Sequence, residues 1–124
     1  MTFRATPLAA SAARAYVEAT LESWDLAALT ENVTLVVSEL VTNAVRYAPD
    51  LLTLECFISA GGRFVLEVAD PSTELPIPGE ASPFDVHGRG LVIVEALADE
   101  WGAHLTGRGG KVVWAAFDVP APRP

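Results

Sequence analysis

The strongest constraint in this chain is a helical recurrence that halts at a proline. Across residues 27–48 the apolar side chains fall at Leu29, Val33, Val36, Val37, Leu40, Val41, Ala44 and Val45, spacings of three and four that gather on one side of a helix. Proline disfavours helical backbone in the residue before it, so Pro49 closes the helix at Ala48. A helix of this length with one apolar stripe is stable in water only when another layer covers the stripe. The rest of the chain must supply that layer.

Thr6-Pro7 has the form of a helix start, threonine as cap and proline in the first helical position, and the alanine-rich stretch behind it predicts a first helix over residues 7–23. Leu8, Ala12, Tyr16, Ala19 and Leu21 make its apolar side, with Arg14, Glu18 and Glu22 toward water. After the long helix, residues 51–59 and 63–70 are extended runs joined across Gly61-Gly62, a β-hairpin. Apolar residues fall on both parities of these runs, so the pattern leaves the buried face open. Residues 71–90 carry Pro71, Pro76, Pro78, Gly79, Pro83, Gly88 and Gly90 with little periodicity, the composition of a long functional loop. Helical spacing resumes at Leu91, Val94, Leu97, Ala98 and Trp101 and stops at Gly102. Residues 103–106 and 111–119 then form a second hairpin around Gly107, Gly109 and Gly110, and residues 119–124 are expected as a flexible tail.

Strands that come in pairs between helices indicate an α+β fold. The expectation is one domain over residues 1–124, a two-layer α/β sandwich of four mainly antiparallel strands covered on one face by helices. Composition agrees: 51% of residues are hydrophobic and 19% charged, enough apolar surface for a core and too little charge for disorder. Sixteen acidic residues against eight basic ones give a net charge of −8, which repels a phosphate backbone or an anionic membrane and argues against direct nucleic-acid or membrane binding. The arginines are scattered, and Lys111 is the single lysine. Cys56 sits in an apolar run and is expected as a buried structural thiol. The N-terminus lacks a basic segment followed by a long apolar run, and no run approaches the roughly 20 residues of a membrane span. Cytoplasm is the expected location.

Within this frame several segments carry residues suited to chemistry. Glu39 and Asn43 are one helical turn apart on the long helix and project from the same face among apolar neighbours. That pair suits an oxygen-ligand site for a hard cation such as Mg2+, or is a solvated strip of the helix. Asp70 ends a strand directly before the loop, where its carboxylate can accept a hydrogen bond from an exocyclic amine or brace a turn before Pro71. His87-Gly88-Arg89-Gly90 stands where loop gives way to helix, and its glycines with the following helix N-terminus favour an anion; equally, Arg89 and His87 suit an exposed loop. Lys111 at the start of the last strand is either solvated or able to reach a phosphate. Trp101 and Trp114 are read as structural, Trp114 filling the core.

In order along the chain these segments resemble the N, G1, G2 and G3 boxes of the GHKL ATPase superfamily: SELVTNAVRYA, VADPS, HGRGLVIVEALADEWG and GGKVVWAAF. The superfamily includes histidine kinases, and the resemblance is strongest to its stand-alone anti-sigma-factor serine kinases. It implies the Bergerat-type ATP-binding fold, with ATP and Mg2+ as cofactors. It further implies that Asn43 coordinates Mg2+, and that Glu39 contacts the metal through water or serves as general base. Asp70 would read the adenine amine, and Ser72 would stand in for a box glycine with a hydroxyl. Gly88, Arg89, Gly90 and Leu91 would lie at the triphosphate, Arg46 would line the same pocket, and Lys111 would reach the ligand from the last strand. The implied partners are a sigma factor and a STAS-domain antagonist phosphorylated on serine, with monomer and homodimer both open. The chain departs from the family in the G1 box, where Ser72 and Glu74 occupy the positions of its glycines. A module that binds nucleotide and partner without catalysis is the alternative.

Overall fold

The structure, a computed structural model, describes residues 1–47, 51–71, 89–107 and 109–120. In chain order it comprises β1 (Thr2–Arg4), α1 (Ala9–Ser23), a short 3-10 turn (Ala27–Leu29), α2 (Thr30–Tyr47), β2 (Leu51–Ile58), β3 (Phe64–Asp70), α3 (Arg89–Leu97), β4 (Glu100–Leu105) and β5 (Lys111–Phe117). The strands form one sheet in the order β1-β2-β3-β5-β4, and every neighbouring pair is antiparallel. The helices share a core with one face of that sheet. This is the α+β sandwich that the paired strands implied.

Helix α2 buries Val33, Val36, Val37, Leu40, Val41 and Ala44, and α1 adds Ala9, Ala13, Val17 and Leu21. Facing them are Leu52 and Leu54 of β2, Phe64, Leu66 and Val68 of β3, and Val113, Ala115 and Phe117 of β5. The strand register makes these residues one continuous layer, with Leu54 beside Val68, Val68 beside Val113 and Leu66 beside Ala115. Each large apolar side chain buried in this way contributes about 1.5–3 kcal/mol. Even-numbered residues of β2 and β3 and odd-numbered residues of β5 therefore look toward the helices. Sequence left this parity open because Val65 and Ala116, on the other face, are buried as well.

The structure differs from expectation at several points. Among the described residues the sheet has five strands rather than four. Strand β1 is too short to show alternation, and it is held where the Met1 ammonium donates to the Leu54 carbonyl at 2.9 Å and the Leu54 N–H donates to the Met1 carbonyl at 2.8 Å. Helix α1 starts at Ala9 rather than Pro7, because Thr6 first caps a turn through Leu8 N–H at 3.3 Å. Its buried face is set one residue later than Leu8 and Ala12, and Leu8 is 75% exposed. Helix α3 ends at Leu97, so Trp101 and Gly102 belong to β4. Trp101 does pack against the core, whereas Trp114 points to the sheet's other face. There its ring covers Gly102, where an added Cβ would sit 2.8 Å from the indole. Val119 packs against the core, so the packed chain reaches into the stretch expected as a tail; residues 121–124 lie outside the described residues.

Cys56 lies half-buried on the helix side of β2. Burial pushes its thiol up to about 11, against a smaller opposing pull from the N-terminal ammonium. It is a protonated, inert thiol at neutral pH.

Helix α1 closes in a Schellman motif: Leu26 N–H donates to Leu21 O at 2.7 Å and Asp25 N–H to Glu22 O at 3.2 Å. The motif requires a left-handed residue, and Asp25 provides it at φ 58°. An L side chain in that region carries a cost of about 1 kcal/mol that glycine avoids. Asp25→Gly is therefore expected to stabilise the domain by about 0.5 kcal/mol after glycine's unfolded-state entropy is counted, read as a higher urea midpoint with unchanged slope.

Candidate functional site

Helix α2 advances about 100° per residue, so Glu39, Asn43 and Arg46 fall on one stripe that runs beside the core stripe of Leu40 and Ala44. Glu39 and Asn43 are half-buried and Arg46 is exposed. Arg46 lies in the last turn, where the carbonyl end of the helix favours a cation. Asn43 precedes the end of α2 at Tyr47 by one turn, roughly 6 Å of helix rise.

At the end of β3, Asp70 continues the helix-facing row of Phe64, Leu66 and Val68. Its cross-strand partner is Lys111, which begins the matching row of β5. Lys111 Nζ lies 3.5 Å from Asp70 Oδ2, with side chains 6% and 1% exposed respectively. A carboxylate and an ammonium thus occupy positions that deeper in the same rows hold apolar side chains. Lys111 is not the solvated surface residue that sequence allowed. Gly110 makes the approach possible, since an added Cβ there would come within 2.5 Å of the Asp70 carbonyl oxygen.

Chain connections bring these groups to one end of the sandwich. Only residues 48–50 separate α2 from β2, a reach of about 14 Å at most, and the start of β2 is level with the end of β3 because Thr53 pairs with Ala69. The C-terminal part of α2 therefore lies at the end of the sheet where Asp70 and Lys111 meet. Helix α3 leads through Ala98 and Asp99 into β4, whose first residue, Glu100, pairs with Ala116 at the opposite end. So short a connection makes α3 run back along the sheet, and its N-terminus at Arg89 points toward the Asp70 end. Leu91, in that first turn, is buried, so its side chain packs and only its main chain is placed to meet a ligand. Arg89 and Gly90 open the helix; Ser72 and Gly88 lie outside the described residues.

The donor set suits a metal that arrives with its ligand better than a standing metal centre. Among the described residues no group of three or more His, Cys, Asp and Glu could hold an ion. Glu39 and Asn43 offer two oxygen-bearing side chains one turn apart, and Mg2+ commonly takes one or two protein oxygens with the remainder from phosphates and water. The residues fit Mg2+ in that manner.

The sequence places Gly110 in the hairpin turn and in the GGKVVWAAF stretch without singling it out as a site residue. The available signal was a second glycine directly before the chain's single lysine.

The chain belongs to the histidine kinase-like ATPase domain family, whose model matches residues 3–117, and so to the GHKL superfamily, a class of ATP-binding domains. No curated protein sequence matches it. Among solved structures it is similar to the SiaB–SiaC complex from Pseudomonas aeruginosa, with a TM-score of 0.69 and 14% identity over 94% of this chain and 88% of that one. It is also similar to the histidine kinase domain of the blue-light-activated histidine kinase EL346 from Erythrobacter litoralis, with a TM-score of 0.55 and 21% identity over 73% and 45% of the two chains. The histidine kinase domain of the E. coli osmosensor EnvZ gives a TM-score of 0.51 and 21% identity over 77% and 68%. At these identities the likeness is one of fold.

Proposed function

We propose that this domain is an ATP-binding regulator of the anti-sigma-factor type that transfers a phosphoryl group from Mg-ATP to a serine of a STAS-domain antagonist, with a sigma factor as the competing partner. The arrangement that supports this reading most is that the chain connections direct the C-terminal half of α2, which carries Glu39 and Asn43, and the N-terminus of α3 toward the end of the sheet where Asp70 meets Lys111. Asp70 accepts from the adenine amine, and the α3 N-terminus faces the phosphates with Arg46 as a cationic neighbour. Gly88, Arg89 and Ser72 belong to the same ligand contact, by resemblance to the boxes. Asn43 would hold Mg2+ with Glu39 near it, and the bound ion would supply charge neutralisation at the phosphates. Glu39 takes the proton of the attacking serine hydroxyl as its oxygen bonds to the γ-phosphorus and the bond to the β,γ-bridging oxygen breaks, leaving ADP. A partner protein is in keeping with the fold's likeness to a SiaB–SiaC complex. The cytoplasm is the location that suits this role, and among the described residues no helix is long and apolar enough to cross a membrane.

The test is transfer of labelled phosphate from Mg-ATP to candidate STAS-domain proteins. Glu39→Ala is expected to lower the rate by about 100-fold or more, the scale of a lost general base, with the fold intact. Undiminished transfer by that variant sinks the kinase assignment.

A second reading, a nucleotide-responsive module that binds its partner without turnover, is favoured by the residues at the G1 positions, Ser72 and Glu74 in place of glycines. Calorimetry separates the two: tight ATP binding with no phosphate transfer to any partner selects the module.

A further inference from the structure

The sequence leaves Lys111 either solvated or able to reach a phosphate, and the structure sets its ammonium beside a buried carboxylate. Its Nζ lies 3.5 Å from Asp70 Oδ2, and both side chains are buried. They are cross-strand partners at the end of the helix-facing rows, directly after Gly110, whose lack of a Cβ lets β5 close on the Asp70 carbonyl. The ammonium is thus buried beside a carboxylate at the end of the sheet.

We propose that Lys111 is a positioning residue for base selection: it holds Asp70 as a charged, acceptor-only carboxylate at the end of β3, so that the site takes a purine with a 6-amino group and rejects one with a 6-oxo group. The inference rests on the reading of Asp70 as the contact to the base. A carboxylate presents lone pairs only, so a 6-amine can donate to it, whereas a 6-carbonyl would set oxygen against oxygen. A buried carboxyl group that loses a facing cation binds a proton more readily. The protonated acid can donate to a 6-oxo group as well as accept from a 6-amine, and discrimination is lost. The lysine thus governs which base is accepted without touching it.

The experiment measures affinity for ATP and for inosine triphosphate, whose bases differ in the 6-substituent, by calorimetry on the full chain. The wild type is expected to prefer ATP. Lys111→Met should shrink the ATP-to-ITP affinity ratio at least tenfold, chiefly through weaker ATP binding, and Lys111→Arg should restore most of it because a cation again faces Asp70. Lys111→Gln, which keeps a donor without the charge, should behave as Lys111→Met does and serves in its place if the apolar variant unfolds. Equal loss of ATP and ITP affinity in Lys111→Met or Lys111→Gln, the pattern of a phosphate contact, overturns the proposal, as does an unchanged ratio. Failure of the wild type to bind either nucleotide is visible before any variant is made, and it overturns the underlying reading of the site together with this one.

Discussion

Gly110→Ala should cost the domain about 3 kcal/mol, at the upper end of what overpacking a close contact costs, and should abolish ATP binding in whatever fraction remains folded. The added methyl would lie 2.5 Å from the Asp70 carbonyl oxygen and 3.3 Å from the Pro71 Cα. Both are backbone atoms, so no rotamer change relieves the clash and β5 must move away from the end of β3. That movement separates the strand positions carrying Asp70 and Lys111. Neighbouring glycines provide graded controls. Gly109 has φ 85° and open space for a methyl, so Gly109→Ala should cost only about 1 kcal/mol through its backbone conformation. Gly107 has neither a positive φ nor an atom within 4 Å of its added Cβ, and Gly107→Ala should be close to neutral. Urea unfolding of the three variants with ATP calorimetry beside it checks the series. A Gly110→Ala protein as stable as Gly107→Ala would show that the strands do not meet as described.

The long helix, both hairpins and the α+β class were legible in the sequence because each rests on periodicity or turn chemistry that neighbouring residues encode. The α2 recurrence from Leu29 to Val45 did become one helix, apart from its first turn, which tightened into a 3-10 turn at Ala27–Leu29. Features decided by partners distant in the chain were not legible. Strand β1 exists because β2 offers it an edge at residues 51–53, and nothing in Thr2–Arg4 announces this. Trp101 continues the helical spacing of Leu91, Val94 and Leu97, yet the pairing of Glu100 with Ala116 and of Trp101 with Ala115 draws it into β4. The candidate site divides in the same way. Glu39 and Asn43 could be read as a pair because one helix carries both, and Asp70 could be read as a strand end. The burial of Lys111 against Asp70 could not, because it depends on the register between β3 and β5, which only the folded sheet fixes.

The second large effect is expected at that buried pair. Asp70→Ala removes the carboxylate 3.5 Å from a buried ammonium, and breaking a buried ion pair from one side costs about 3–5 kcal/mol because a charge stays behind in a poorly solvating place. The same substitution should end ATP binding, so on its own it cannot tell a stability residue from a binding residue. The double variant Asp70→Leu with Lys111→Met separates the two. It exchanges both charges for apolar side chains at the ends of rows that are already apolar at Val68 and Val113, and such exchanges are commonly neutral or stabilising. Its urea midpoint is expected to return to the wild-type value or exceed it, while ATP affinity stays lost. A pair kept for the fold would give the reverse, a double variant as unstable as Asp70→Ala. A stable double variant that still bound ATP with wild-type affinity would remove Asp70 from the ligand altogether. The expected outcome, full stability without binding, would mean that the charges at this end of the sheet are retained for the nucleotide at some expense to the core.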